Sequence, residues 1–115
     1  MTNRFHPSNG YRFLYVRDRQ DNPVGVIAST AAGSMGWSLC KRKLDRFTKT
    51  EAKELACDPA RMRDIPRVQT DLRVAGVNDT PMNRTLCALS NDMDVPHTIR
   101  QAARQALESR RASND

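Results

Sequence analysis

A chain of 115 residues allows one domain with a single small core. With 38% apolar and 5% aromatic residues, that core must be built from Val, Ile, Leu, Met and Ala, and oligomerisation, a homodimer first, is a further source of stability. Nineteen basic against thirteen acidic residues give a net charge of +6, which favours anionic partners such as nucleic acid, nucleotides or an acidic protein face and does not choose among them.

Residues 1–10 are polar, with Pro and Gly, and read as a loose leader. The fold is expected to run from 11 to 111 as one domain. Tyr11 to Arg17 is rich in aromatic and β-branched residues, and the Asp, Asn and Pro of Asp18 to Pro23 are turn formers, so a hairpin leads to a second strand at Val24 to Thr30. After the small-residue turn Ala31 to Ser34, Met35, Trp37 and Leu39 alternate with Gly36, Ser38 and Cys40 as a third strand buried on its large-residue face. A helix follows: Thr48 and Glu51 have capping-box spacing, Phe47 and Ala52 occupy the staple positions, and Ala52, Leu55 and Ala56 form a narrow apolar stripe that ends at Asp58-Pro59. Between Ala60 and Val77 the pattern is weak, Pro66 interrupts any helix, and Val68 to Val74 fits a short strand or an irregular connection. Thr80-Pro81 then starts a helix to Ser90 with Met82, Leu86 and Leu89 on one face. The acidic break Asn91 to Asp94 precedes a last helix from near Pro96, on which Ile99, Ala102, Ala103, Ala106 and Leu107 keep helical spacing, and residues 112–115 are an expected frayed tail. The fold class is α+β: a three-stranded antiparallel meander, a capped helix and two C-terminal helices.

The residue types that carry catalysis do not assemble. His6 falls in the leader and His97 at a helix start, neither at metal-ligand spacing from Cys40, Cys57 or Cys87, so no metal and no cofactor is expected. A Cys87–His97 nucleophile pair could form only by folding, and a cysteine beside an apolar face is normally inert packing. Gly33-Ser34-Met35-Gly36 lacks the phosphate-loop lysine and leads into a strand, and Asp92 and Asp94 lack the glycine and terminal Glu of a calcium loop. The function expected is binding, without an enzyme activity. Three cysteines, odd in number and widely spaced, suit reduced thiols, and no apolar run approaches a membrane span, so the expected compartment is the cytoplasm.

Two basic features stand out. From Lys41 to Lys49 five of nine residues are cationic, Lys41, Arg42, Lys43, Arg46 and Lys49, against one acid. On the last helix Arg100, Arg104 and Arg111 fall within about 40° of one another, opposite the alanines. Such a ridge can present guanidinium forks to phosphates, or be a solvated face with cations near a helix end. Trp37, beside the first cluster, is either the core anchor of its strand or a ring on which a base could stack. Tyr11, Phe13 and Tyr15 share one face of the first strand and offer the same choice between core and stacking platform.

The run Gly36-Trp37-Ser38-Leu39-Cys40, then Asp45-Arg46-Phe47-Thr48-Lys49 and Ala52 to Ala56, resembles a pattern in small uncharacterised proteins of tailed phages and prophages. There a β-hairpin ends in a Trp/Val-Ser-Leu/Val-Cys strand, followed by an Asp-x-Phe-x-Lys helix start. The resemblance covers residues 11–57, and Lys41-Arg42-Lys43-Leu44 replaces the usual Ser/Asn-Pro-Lys bend. It implies a phage-type accessory protein that antagonises a host system, such as CRISPR or nucleotide-signal immunity. The implied partner is a host protein or ribonucleoprotein, a nucleotide or a nucleic acid. A direct DNA- or RNA-binding regulator and an oligomerising module with a basic surface are the alternatives.

Overall fold

The three N-terminal segments form the expected antiparallel meander, β1 (Tyr11–Arg17), β2 (Pro23–Thr30) and β3 (Ser34–Leu39). The computed structural model describes residues 10–39, 49–58, 60–67 and 69–113, with 49, 69–71 and 112–113 as backbone only. The leader therefore lies outside the described residues except for Gly10, whose carbonyl accepts from the Ala31 N–H at 3.2 Å. The β1–β2 turn is organised by Asp18, whose Oδ1 accepts from the backbone N–H groups of Gln20 and Asn22, both at 2.9 Å. Arg17 closes it by donating to the Asp21 carbonyl at 2.9 Å. A fourth strand that sequence patterning does not show, β4 (Arg63–Asp64), pairs with Ser34 and Met35 and completes the order β1-β2-β3-β4.

α1 (Lys49–Ala56) begins directly after Thr48, where the capping spacing places its start. Thr48 and Phe47 themselves lie outside the described residues. The side of β3 that receives the helix corrects the expectation from alternation. Met35 is buried as expected, but Gly36 and Ser38 are buried too, beneath α1, while Trp37 and Leu39, also expected inside, are half-buried. The reason is close approach: the Ala56 carbonyl stands over Gly36 where any Cβ would collide with it, and the Ser38 hydroxyl donates to the Ala52 carbonyl at 2.8 Å. A helix this near the sheet can bury only a narrow stripe. Ala52, Ala56 and Cys57 are therefore inside with Val26 and Ala28, and Leu55, expected on the stripe, is 48% exposed. β2, between its two long neighbours, is buried along nearly its whole length.

The chain divides between Asp64 and Ile65 into two compact units, the sheet with α1 and a helical unit. In the second, the uncertain stretch after Pro66 is neither strand nor irregular but a short helix, α2 (Gln69–Ala75). It ends in paired backbone bonds, Val77 N–H to the Leu72 carbonyl and Gly76 N–H to that of Arg73, both at 3.2 Å, with Gly76 left-handed at φ +73°. α3 (Pro81–Ser90) matches its expected limits, and the Thr80 hydroxyl accepts from the Asn83 N–H at 3.1 Å, a cap worth about 1 kcal/mol. Met82, Leu86 and Leu89 are buried as their spacing requires. α4 (His97–Ser113) buries Ile99, Ala103 and Leu107, and continues two residues past the expected end at 111. Among the described residues no helix is long and apolar enough to cross a membrane.

Candidate anion-binding surfaces

Charge is not shared evenly between the two units. The sheet unit holds twelve Lys and Arg against seven Asp and Glu, and the helical unit seven against six, so five of the six net positive charges belong to the first. Of the residues singled out in sequence, Lys41, Arg42, Lys43 and Arg46 lie outside the described residues, and Lys49 is described only as the first backbone position of α1. They connect the end of β3 to the start of α1.

The described part of the sheet unit carries cations on aromatic rings. α1 packs over β2 and β3, and the register sets Phe13 opposite Ala28 and Tyr15 opposite Val26, so the β1 rings stand beside the helix. Tyr11, Phe13 and Tyr15 are each half-buried against the Val26–Ala28–Ala52–Ala56–Cys57 cluster. Tyr11 and Phe13 stack with centroids 6.1 Å apart and planes 14° from parallel. The Lys53 ammonium lies 5.0 Å from the centroid of Phe13 and 5.8 Å from that of Tyr15, within cation–π range. Trp37 is half-buried, with the Arg61 guanidinium 5.5 Å from its ring centroid. The ring is thus neither a fully enclosed core anchor nor bare. Lys53 and Arg61 were missed in the sequence reading. The available signal for Lys53 was its place next to Ala52 at the rim of the buried stripe, where a lysine stem runs along apolar surface.

The α4 arginines are partly committed within their own unit. Arg104 donates from Nη2 to the carbonyl of Ser90, the last residue of α3, at 3.5 Å, where a cation meets the negative end of the helix dipole. Arg100, half-buried, directs Nη1 to the Met93 sulfur at 3.1 Å. Arg111 is exposed, and its methylene chain lies over Gly76 at the end of α2. Two of the three guanidinium groups of the expected ridge therefore reach back to the α3 terminus and the loop after it.

Cys87 is buried on α3, while His97 is exposed at the start of α4. Among the described residues no three of His, Cys, Asp and Glu gather as a metal-binding group. Burial pushes the Cys57 thiol from 9.0 up to about 11, with the Lys53 charge pulling the other way. Two outcomes are expected from that shift. Cys57 should stay unlabelled by a thiol reagent in the native protein at pH 8 and become labelled in denaturant, as read by peptide mass spectrometry. Because the unfolded thiol ionises from about pH 9 and the folded one only near 11, its contribution to stability is whole below pH 9 and is lost between 9 and 11. Labelling of native Cys57 at the rate of the unfolded chain would contradict both.

Compared with known proteins, the chain matches no family model, no curated protein and no solved structure.

Proposed function

We propose that this is a non-catalytic binding protein of the cytoplasm that engages an anionic target, a nucleotide, a nucleic acid or the protein that handles one, through its sheet unit. The observation that carries the reading is the concentration of five of six net positive charges in that unit, where cations also stand over Phe13, Tyr15 and Trp37. The resemblance of residues 11–57 to small phage and prophage proteins supports an accessory role, in which binding disables or redirects a host system such as bacterial immunity.

Polyanion binding by such a surface releases counterions, so affinity for heparin and for oligonucleotides should fall linearly in log–log form as salt rises. Replacing Lys41, Arg42 and Lys43 together by Gln should weaken binding about tenfold or more at roughly 0.1 M salt, while the melting temperature stays near that of the parent. Fluorescence anisotropy across a salt series reads both. A flat salt response, with the triple variant equal to the parent, overturns the anionic-target reading. Recovery of one host protein from a bacterial lysate by the parent and not by the triple variant would identify a protein partner for the same surface.

A further inference from the structure

Of the methionines among the described residues, Met35 and Met82 are buried and Met62 is half-buried against the Val26–Ala28–Ala52–Ala56–Cys57 cluster, but Met93 is 77% exposed. Its sulfur is not simply solvated. The Met93 Sδ accepts from Arg100 Nη1 at 3.1 Å, and the Nε of the same half-buried guanidinium is itself buried and meets no acceptor. A thioether is a weak acceptor, so this cation is poorly satisfied. The loop that carries Met93 is fixed by its own backbone. The Asp94 N–H donates to Asp92 Oδ1 at 2.9 Å, the Val95 N–H donates to the Asp92 carbonyl at 3.3 Å, and the Val95 side chain is buried. A pre-set loop thus holds an accessible sulfur against a guanidinium short of acceptors.

We propose that Met93 is a reversible oxidation site, where a peroxide converts the thioether into a sulfoxide whose oxygen takes over the contact with Arg100. A sulfur lone pair attacks one peroxide oxygen, and the S–O bond forms as the O–O bond breaks. The departing hydroxide takes the proton left on the transferred oxygen and becomes water, so sulfur loses two electrons and the peroxide gains them. A thiol-dependent sulfoxide reductase reverses the change, with two thiols giving a disulfide and water. The S–O bond is strongly polarised towards oxygen, which makes that oxygen a better acceptor than the sulfur, and the cationic donor makes the new bond charge-assisted. Because Met93 is exposed, its sulfur can withdraw to admit the oxygen while the loop stays in place. In a core the same oxidation disrupts packing; here it ties the α3–α4 loop to α4 and keeps Arg100 from an anion. The oxidation does not depend on what the sheet unit binds.

The test treats the full chain with hydrogen peroxide and follows each methionine by peptide mass spectrometry. Met93 should gain oxygen roughly tenfold or more faster than the buried Met35 and Met82, and a sulfoxide reductase with dithiothreitol should remove it. The oxidised parent should melt about 3 °C above the reduced one, where oxidation of a packed methionine would lower the transition. Met93→Leu treated in the same way corrects for oxidation elsewhere in the chain. In Arg100→Gln the oxidised form should show no such rise over its own reduced form. Met93→Gln, whose amide oxygen imitates the sulfoxide, should melt above Met93→Leu, which offers no acceptor, and this pair decides the matter if Arg100→Gln does not fold. The proposal is overturned by Met93 oxidising no faster than the buried methionines, by an oxidised parent that melts at or below the reduced one, or by an equal rise in Arg100→Gln. Met93→Gln melting no higher than Met93→Leu overturns it as well.

Discussion

Gly36→Ala is expected to cost the fold about 3 kcal/mol, through a collision and not through lost burial. In an open strand the same change would stabilise by about 0.5–1 kcal/mol, because alanine has less conformational freedom to lose than glycine. At position 36 the added methyl points at the Ala56 carbonyl, a backbone atom at the end of α1, with Met62 close on another side. A flexible side chain could swing away, but a helix carbonyl moves only with its helix. The helix is held to the same strand by the Ser38–Ala52 hydrogen bond, which must stretch or break if α1 lifts. Ser38→Ala makes the comparison sharp. It removes one buried hydrogen-bonding group from a residue 2% exposed and should cost about 1 kcal/mol, although it also makes the strand more apolar. Urea unfolding of both variants should therefore rank Gly36→Ala as the worse by roughly 2 kcal/mol. Equal or greater stability of Gly36→Ala relative to the parent would mean that α1 does not lie this close to β3.

The close approach at Gly36 also explains where sequence patterning succeeded and where it did not. Strand positions, the start of α1 and both limits of α3 were legible, because turn formers, the Thr48–Glu51 spacing and Thr80-Pro81 are local chemical signals. The buried face of β3 was not. Alternation of Met35, Trp37 and Leu39 with Gly36 and Ser38 places large residues inside on hydrophobic grounds, which holds for Met35 but not for Trp37 and Leu39, because a helix docking on its alanines buries the small residues of the other face. β4 has two residues and both are charged, so no periodicity could announce it. α2 was hidden by Pro66 and by a sequence with mixed preferences, yet its stop was written in Gly76. The neighbours Leu72 and Val77, buried on either side of that turn, are the hydrophobic pair that accompanies such an ending.

For the candidate surfaces, total charge was readable and its use was not. Spacing put Arg100 and Arg104 on one ridge with Arg111, but only the fold shows the first two reaching to Met93 and to the α3 terminus. A guanidinium that satisfies a helix carbonyl is less available to a phosphate, since a new contact must replace the old one. This moves weight from the α4 ridge to the sheet unit, where Lys53 and Arg61 rest on rings and can exchange a cation–π contact for a phosphate at little cost. Rings and cations had been readable as separate inventories. Their pairing depends on β1 standing beside α1, a tertiary fact with no counterpart in local spacing.

Ile99→Ala should lower stability by about 3–4 kcal/mol, the second large effect expected. Ile99 is fully buried on the inner stripe of α4, in a unit where α3 and α4 pack on each other. Its truncation removes the transfer free energy of the lost carbons and leaves a void. How far the void can collapse decides the size of the effect. The next position on the stripe is Ala103, already a single methyl and fully buried, so no larger side chain on α4 can swing into the gap. On the N-terminal side the backbone is tied by the bonds of the Ile99 and Arg100 N–H groups to the Pro96 carbonyl, which hold the first turn in place. Both features keep the cavity open and place the cost in the upper part of the usual range. Val74, 83% exposed on α2, provides the control: Val74→Ala deletes apolar carbon that is already in water and should change stability by no more than about 0.5 kcal/mol. Urea titrations followed by circular dichroism at a helix wavelength would separate the two, and an Ile99→Ala midpoint as close to the parent as that of Val74→Ala would show that α4 does not bury this face.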